Sequence, residues 1–424
     1  MTDRSLPNPL SYALGELQVE RVPVSRIVQE VGTPCYVYSL GAIRARVEEF
    51  RGALNGSEDI VCFSVKANSN GAILRFLARA GLGFDIVSGG ELFRVLRAGG
   101  NPSRIVFSGV GKSEPEMRDA LQAGILLFNV ESRAELDQLH HVAKALRIPA
   151  RVALRINPDV DPKTHPYIST GLRRSKFGIP IAEALDAYAY ARSLEWIQIA
   201  GIDCHIGSQL TDLAPLRDAL SRVAELASEL CARGLEIRFL DVGGGLGVRY
   251  STEEPPSVAE YVHCVREATR GLNATLIFEP GRVVVAEAGL LVAQVLYRKR
   301  TAEKEFVVVD AAMNDLIRPT LYGSYQEIVP VRHRRGSVSV ADVVGPVCET
   351  GDFLARDREL PPFEPGDLLA VLGAGAYGFV MASNYNSRGR AAEVVVDDDR
   401  FFVVRQRETY EDLVAKEQIP PWLQ

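Results

Sequence analysis

The sequence predicts an α/β chain: a (β/α)8 barrel of the TIM type followed by a second, all-β C-terminal domain. Two observations carry this. Between about residues 30 and 282, eight apolar, β-prone runs alternate with amphipathic helical stretches, a count and a span that match eight strand–helix units. After Arg282 the helical periodicity stops, and short strand-like runs alternate with Gly, Pro and charged turns. The expected division is a barrel over 30–282 and a β domain made of 1–29 and 283–424, with the alternating segment Glu16–Val22 joining the C-terminal sheet. An open doubly wound sheet is the other arrangement open to such a chain, and the even spacing of the units favours the barrel.

The strand candidates, in order, are Ile60–Ala67, Gly83–Ser88, Ile105–Gly109, Leu126–Val130, Ala150–Pro158, Ile199–Ser208, Ile237–Gly245 and Leu276–Arg282. Helices are expected over Glu114–Ala123, Ala134–Arg147, Leu213–Arg233 and Val258–Leu272. Two of them open on capping-box pairs, Ser113 with Glu116 and Ser132 with Glu135. In the second domain the strand-like runs are Leu290–Tyr297, Phe306–Asp310, Ser337–Val344, Asp367–Leu372, Glu393–Val396 and Phe401–Arg405. The long connection Asp159–Gly178, rich in Pro, Gly, Ser and Thr, is a candidate active-site loop.

A barrel gathers its strand carboxyl ends on one face, and polar residues sit at those ends here: Lys66, Asp85 with Ser88, Asn157, His205, Gly243 to Gly245 and Glu279. Lys66 ends an apolar strand. Desolvation there disfavours the ammonium and exposes a nucleophilic amine, as a Schiff-base lysine requires; the alternative is a stem whose head reaches back to water. His205 falls in an apolar run, on the same face as Asp203 and Gly207, and reads either as a core histidine or as a lumenal one. Gly243-Gly244-Gly245 reads either as an anion cradle or as a strand-to-helix turn. Phe278-Glu279-Pro280-Gly281-Arg282 closes a strand, so Glu279 suits a heteroaromatic nitrogen and Arg282 a carboxylate, against a plain Glu–Arg surface pair. Its near copy Phe363–Asp367 precedes a strand and reads as a turn. The Gly373–Gly378 stretch has GxGxxG spacing, but turn chemistry follows it and too little chain remains for a dinucleotide fold.

Composition excludes other classes. The net charge of −6 over 424 residues gives no basic patch for nucleic acid or anionic membrane. The longest apolar run, Val283–Leu296, is interrupted by Glu287 and is too short to span a bilayer. Residues Met1–Leu10 carry charges and prolines, so no signal peptide is expected. The six cysteines are scattered singly, as in a reduced, cytoplasmic protein, and the six histidines show no ligand spacing, so no metal is expected.

Six motifs occur in an order that carries a resemblance: Ser64-Val65-Lys66-Ala67-Asn68, His205-Ile206-Gly207-Ser208-Gln209, the 243–245 glycines, Glu279-Pro280-Gly281-Arg282, Cys348-Glu349 and Ala374-Gly375-Ala376-Tyr377. Together, and over nearly the whole chain, they resemble the pyridoxal 5'-phosphate (PLP) decarboxylases of the alanine racemase-like barrel fold. The stretch Thr164–Gly171, then Ser175-Lys176-Phe177-Gly178 and Arg318–Tyr322, is similar to the branch that acts on meso-2,6-diaminopimelate. The resemblance implies that Lys66 carries PLP, His205 lies against its ring and Glu279 pairs with the ring nitrogen. It also implies that Asp85 lies in the cofactor site, that Ser208, Gly243, Gly244, Gly245 and Gly281 hold the phosphate, and that Tyr377 closes the site. Arg282, Arg318 and Tyr322 are implied for the far carboxylate of an amino-acid substrate, Glu349 for its far amino group, and Cys348 as proton donor. In that family Cys348 and Glu349 come from a second subunit, which implies a homodimer with sites at the interface. The implied reaction releases CO2 and L-lysine, the last step of lysine biosynthesis. The alternatives are a decarboxylase for ornithine, arginine or carboxynorspermidine on the same scaffold, or a non-catalytic PLP-binding homologue.

Overall fold

A computed structural model describes residues 9–161, 171 and 175–423. The chain forms two compact units, Ala45–Val284 and the pair of segments Met1–Arg44 and Val285–Gln424. The distinctive part of the 159–178 connection, residues 164–170, lies outside the described residues.

In the first unit eight parallel strands close on themselves. In sheet order they are Ile60–Ser64, Gly83–Ile86, Ile105–Phe107, Leu127–Val130, Ala150–Asn157, Ile197–Asp203, Phe239–Asp241 and Thr275–Phe278, the last pairing with the first. A two-residue strand, Ile179–Pro180, adds to Ala150–Asn157. The strands are short and mostly buried along their whole length, as strands covered on both faces are. Cys62, Val106, Leu127, Ala153 and Ile277 pack into one apolar cluster with Phe239 at its edge.

The strands end earlier than the apolar runs suggest. Lys66 lies in a single 3-10 turn, Val65–Ala67, just past its strand. His205 follows a strand that stops at Asp203, and the 243–245 glycines follow one that stops at Asp241. Apolar composition runs on into these loops because they are themselves buried, so composition alone overextends each strand.

Helix starts behave as the sequence indicates, with one exception. Ser113 and Glu116 form the expected capping box. Ser132 accepts from the Glu135 amide, but the Glu135 carboxylate does not turn back to it. That carboxylate accepts from Lys112 Nζ at 2.7 Å and from the Glu131 amide at 2.9 Å. An ammonium buried at Lys112 demands a counter-ion more strongly than a helix end demands a cap.

The second unit holds a nine-stranded sheet centred on the twelve-residue strand Gly289–Arg300. That strand pairs with Cys35–Ser39, Leu368–Val371 and Glu305–Val309. The N-terminal expectation needs correction here. Glu16–Val19 lies between Leu10–Ala13 and Val22–Pro23 in a three-stranded sheet of its own, and Cys35–Ser39 is the N-terminal strand that enters the large sheet. Left-handed residues at Gly15 and Glu20 fold the alternating segment into two tight turns. The fully buried run Cys-Tyr-Val-Tyr-Ser supplies a core strand instead. Leu17, Val19, Val22, Cys35, Val37 and Leu290 share one core, where burying each large aliphatic side chain contributes roughly 1.5–3 kcal/mol. Among the described residues no helix is long and apolar enough to cross a membrane.

Candidate active site

Two residues beyond the apolar layer, each barrel strand or its immediate end carries one buried polar side chain. These are Ser64, Asp85, Ser108, Asn129, Arg155, Asp203, Asp241 and Glu279. Period-two alternation puts them on the same side as Cys62, Val106, Leu127, Ala153 and Ile277, and hydrogen bonds cross the lumen between them. Asn129 Nδ2 donates to Asp241 Oδ2 at 2.9 Å and to Ser108 Oγ at 3.1 Å. Ser108 Oγ donates to Glu279 Oε1 at 3.3 Å, and Ser64 Oγ donates to Asp85 Oδ2 at 2.8 Å while lying 3.0 Å from the Glu279 carbonyl. Arg155 meets Glu131 at 3.0 Å and Asp203 at 3.8 Å.

Lys66 sits over this belt. Its Nζ lies 2.6 Å from Asp85 Oδ2; the Asp85 side chain is fully buried, while 37% of the Lys66 side chain is open to water. The expected dry amine is thus a half-exposed one held by a buried counter-ion, oriented rather than stripped of solvent. Lys112, by contrast, is buried and saturated by the carbonyls of Gly109 and Asn129 and the carboxylate of Glu135.

His205 and Glu279 flank the glycine run, and the run is what lets them approach. A Cβ at Gly244 would lie 2.1 Å from the Glu279 carbonyl oxygen, and one at Gly243, where φ is +65°, would lie 2.7 Å from His205 Nδ1. Two amides expected to face an anion are directed into the chain: Gly243 N–H donates to Asp241 Oδ1 at 3.0 Å and Gly244 N–H to His205 Nδ1 at 3.3 Å. The His205 ring is therefore neutral, with Nδ1 accepting; burial, Arg155 and Lys66 all hold it well below the usual histidine range. Arg282 is buried and donates to Ser208 Oγ at 3.0 Å and Tyr250 Oη at 2.9 Å, which fixes its plane. Gly281 fits closely, since a Cβ there would meet Ser64 and Ala67.

The belt is short of positive charge. Four of its members are acidic, with Arg155 inside it and Lys66 above. Burial, then the neighbouring carboxylates Asp241, Asp85 and Asp203, hold Glu279 well above the usual range. Burial and Asp241 do the same to Asp203, and burial pushes Asp241 up to about 6. Among the described residues, Asp85 Oδ1 is buried without a hydrogen-bond partner. A cationic aromatic nitrogen placed against Glu279 would restore its ionised form, and a neutral flat His205 suits the face of such a ring. The residues present fit PLP.

Glu91, not singled out in the sequence, lies nearby on the helix Gly89–Arg97, with Oε2 accepting from the Val87 amide at 2.7 Å. Burial first, then Asp85, lift it from 4.5 to about 7. The folded state thus holds this proton more tightly than the unfolded chain. That contribution is complete below pH 4.5 and is lost as pH rises through 7. Glu91→Gln is expected to be neutral at pH 4.5 and stabilising by about 2 kcal/mol at pH 8. Urea unfolding at the two pH values checks this, and an equal effect at both contradicts it.

The remaining expected residues lie in the other unit. Arg318 is buried on the short helix Arg318–Tyr322, its guanidinium 5.6 Å from the Tyr322 ring. Thr320 Oγ1 donates to the Gly351 carbonyl at 2.6 Å, tying that helix to the exposed turn of Cys348 and Glu349. Tyr377 holds a left-handed backbone, φ 55°. Residues missed in the sequence are Ser64, Ser108, Asn129, Arg155, Asp241 and Tyr250. The first five share one signal, a polar residue two places after a lumenal apolar one; Tyr250, in an irregular loop, offers none.

Comparison with known proteins places this arrangement. Residues 40–286 match the family model described as the pyridoxal-dependent decarboxylase, pyridoxal binding domain. Over 411 residues, 97% of this chain and 99% of the relative, the sequence is 55% identical to a diaminopimelate decarboxylase of Pseudomonas aeruginosa. The structure superposes with TM-score 0.90 on a diaminopimelate decarboxylase of Helicobacter pylori complexed with L-lysine, at 45% identity, covering 93% of this chain and 99% of that one. With the M. jannaschii enzyme in co-complex with L-lysine the TM-score is 0.94 at 38% identity, covering 98% and 99%. The chain belongs to the pyridoxal-phosphate-dependent decarboxylases and, among them, to the diaminopimelate decarboxylase family.

Proposed function

We propose that the chain decarboxylates meso-2,6-diaminopimelate to L-lysine and CO2, completing lysine biosynthesis in the cytoplasm as a homodimer. The observation that carries this reading is the half-exposed Lys66 paired to buried Asp85 in the same polar belt as buried Glu279. PLP, when bound, supplies an electron sink for the pair left by departing CO2.

The chain's own residues do the rest. Lys66 Nζ would tether the cofactor, with the Asp85 carboxylate holding the Lys66 ammonium in place. Glu279 would pair with the ring nitrogen, its carboxylate oriented by Ser108. His205 would lie against the ring. Ser208, the backbone of Gly243, Gly244, Gly245 and Gly281, and the Arg282 guanidinium would hold the phosphate end, with Tyr377 closing the site. Since the Gly243 and Gly244 amides already donate inside the chain, the glycines act there chiefly by allowing close approach. Arg282, Arg318 and Tyr322 receive the far carboxylate, Glu349 receives the far ammonium, and Cys348 delivers a proton to the reacting carbon. Cys348 and Glu349 serve the site of the second subunit. The two solved relatives complexed with L-lysine support a site that takes an α-amino acid group at its far end.

Ornithine lacks that far carboxylate, and a site that leaves a buried arginine unmatched rejects a substrate strongly. CO2 release from meso-2,6-diaminopimelate is expected to exceed that from L-ornithine by roughly 10^3-fold or more in kcat/KM. Comparable rates, or a preference for ornithine, would overturn the assignment.

A further inference from the structure

The turn that carries Cys348 and Glu349 is gripped from both sides. On one side Asp352 accepts from the Val347 and Met313 amides, each at 2.7 Å, and Thr320 holds Gly351. On the other lies the segment Asn384–Arg388. The Cys348 amide donates to Asn386 Oδ1 at 2.8 Å.

The gripping segment is itself held in an uncommon shape. Asn386 and Ser387 are consecutive non-glycine residues with left-handed backbones, φ 56° and 54°. Asn384 Nδ2 ties the segment together by donating to the Arg388 carbonyl at 3.0 Å and to Glu408 at 2.7 Å. Arg388 Nε reaches Asn314 Oδ1 at 3.2 Å, and the Ser383 amide donates to the Asn314 carbonyl at 2.9 Å. Asn386 is exposed, and surface hydrogen bonds of this kind add little to stability. Backbone strain on such a frame points to positioning.

We infer that Asn386 is a positioning residue for the decarboxylation. It sets the direction of Cys348 by accepting from the Cys348 amide. The inference rests on the role given above to Cys348.

The test uses holoenzyme. Asn386→Gly keeps the left-handed backbone but loses the acceptor. It is expected to lower kcat by about tenfold with KM nearly unchanged, and Asn386→Asp, which retains an acceptor, to restore it. If Asn386→Gly keeps the wild-type kcat or changes only the thermal midpoint, or if Asn386→Asp recovers nothing, the inference is overturned. A wild-type holoenzyme inactive on the diacid would instead overturn the functional assignment, which separates the two failures.

Discussion

Lys66→Ala is expected to lower CO2 release by roughly 10^3-fold or more, because no neighbouring amine can take its place as tether and nucleophile. Lys112 is the next ammonium along the chain, and three acceptors already hold it in the buried layer. Its head is committed to the Asn129 carbonyl and the Glu135 carboxylate, so it cannot swing to a ring placed against Glu279. Added alkylamines should restore part of the lost activity, since the Asp85 carboxylate remains to receive a small ammonium. Activity within tenfold of wild type would contradict the role of Lys66.

Glu279→Gln is the second large effect, expected to reduce kcat by roughly 10^2-fold or more while the fold is kept. Burial, then the neighbouring carboxylates Asp241, Asp85 and Asp203, hold this carboxyl well above the usual range. An amide of the same shape keeps the Ser108 contact yet cannot hold a proton on the ring nitrogen. The absorption spectrum of the bound cofactor should shift with the substitution, which a purely structural role for Glu279 would not produce. Unchanged kcat and spectrum would show that some other group sets the protonation of the ring.

What was legible in the sequence follows from what each element depends on. The eight strands and their helices announce themselves through periodicity, because strand and helix faces must both bury apolar side chains. Lys66, His205, Glu279 and Arg282 stand out as polar residues at the ends of apolar runs. The belt beneath them was harder to see: Ser108, Asn129 and Asp241 each look like an ordinary loop or strand-end residue until closure of the barrel brings residues 112 positions apart within hydrogen-bond distance. Glu135 was misread for a similar reason, since its helix-capping spacing is local whereas its real partner, Lys112, is set by tertiary packing. The Glu16–Val22 run has the alternation of an edge strand, but the backbone at Gly15 and Glu20 decides its pairing, and alternation carries no information on that. Likewise the 243–245 glycines suggest an anion cradle from composition alone, while the structure directs the Gly243 and Gly244 amides to Asp241 and His205.

The account turns on where the cofactor is tethered. Borohydride reduction of the PLP-loaded protein, followed by proteolysis and mass mapping, is expected to leave a single pyridoxyl adduct on the peptide containing Lys66. An adduct at Lys112 or any other lysine, or no adduct on a protein that still releases CO2 from meso-2,6-diaminopimelate, would contradict it.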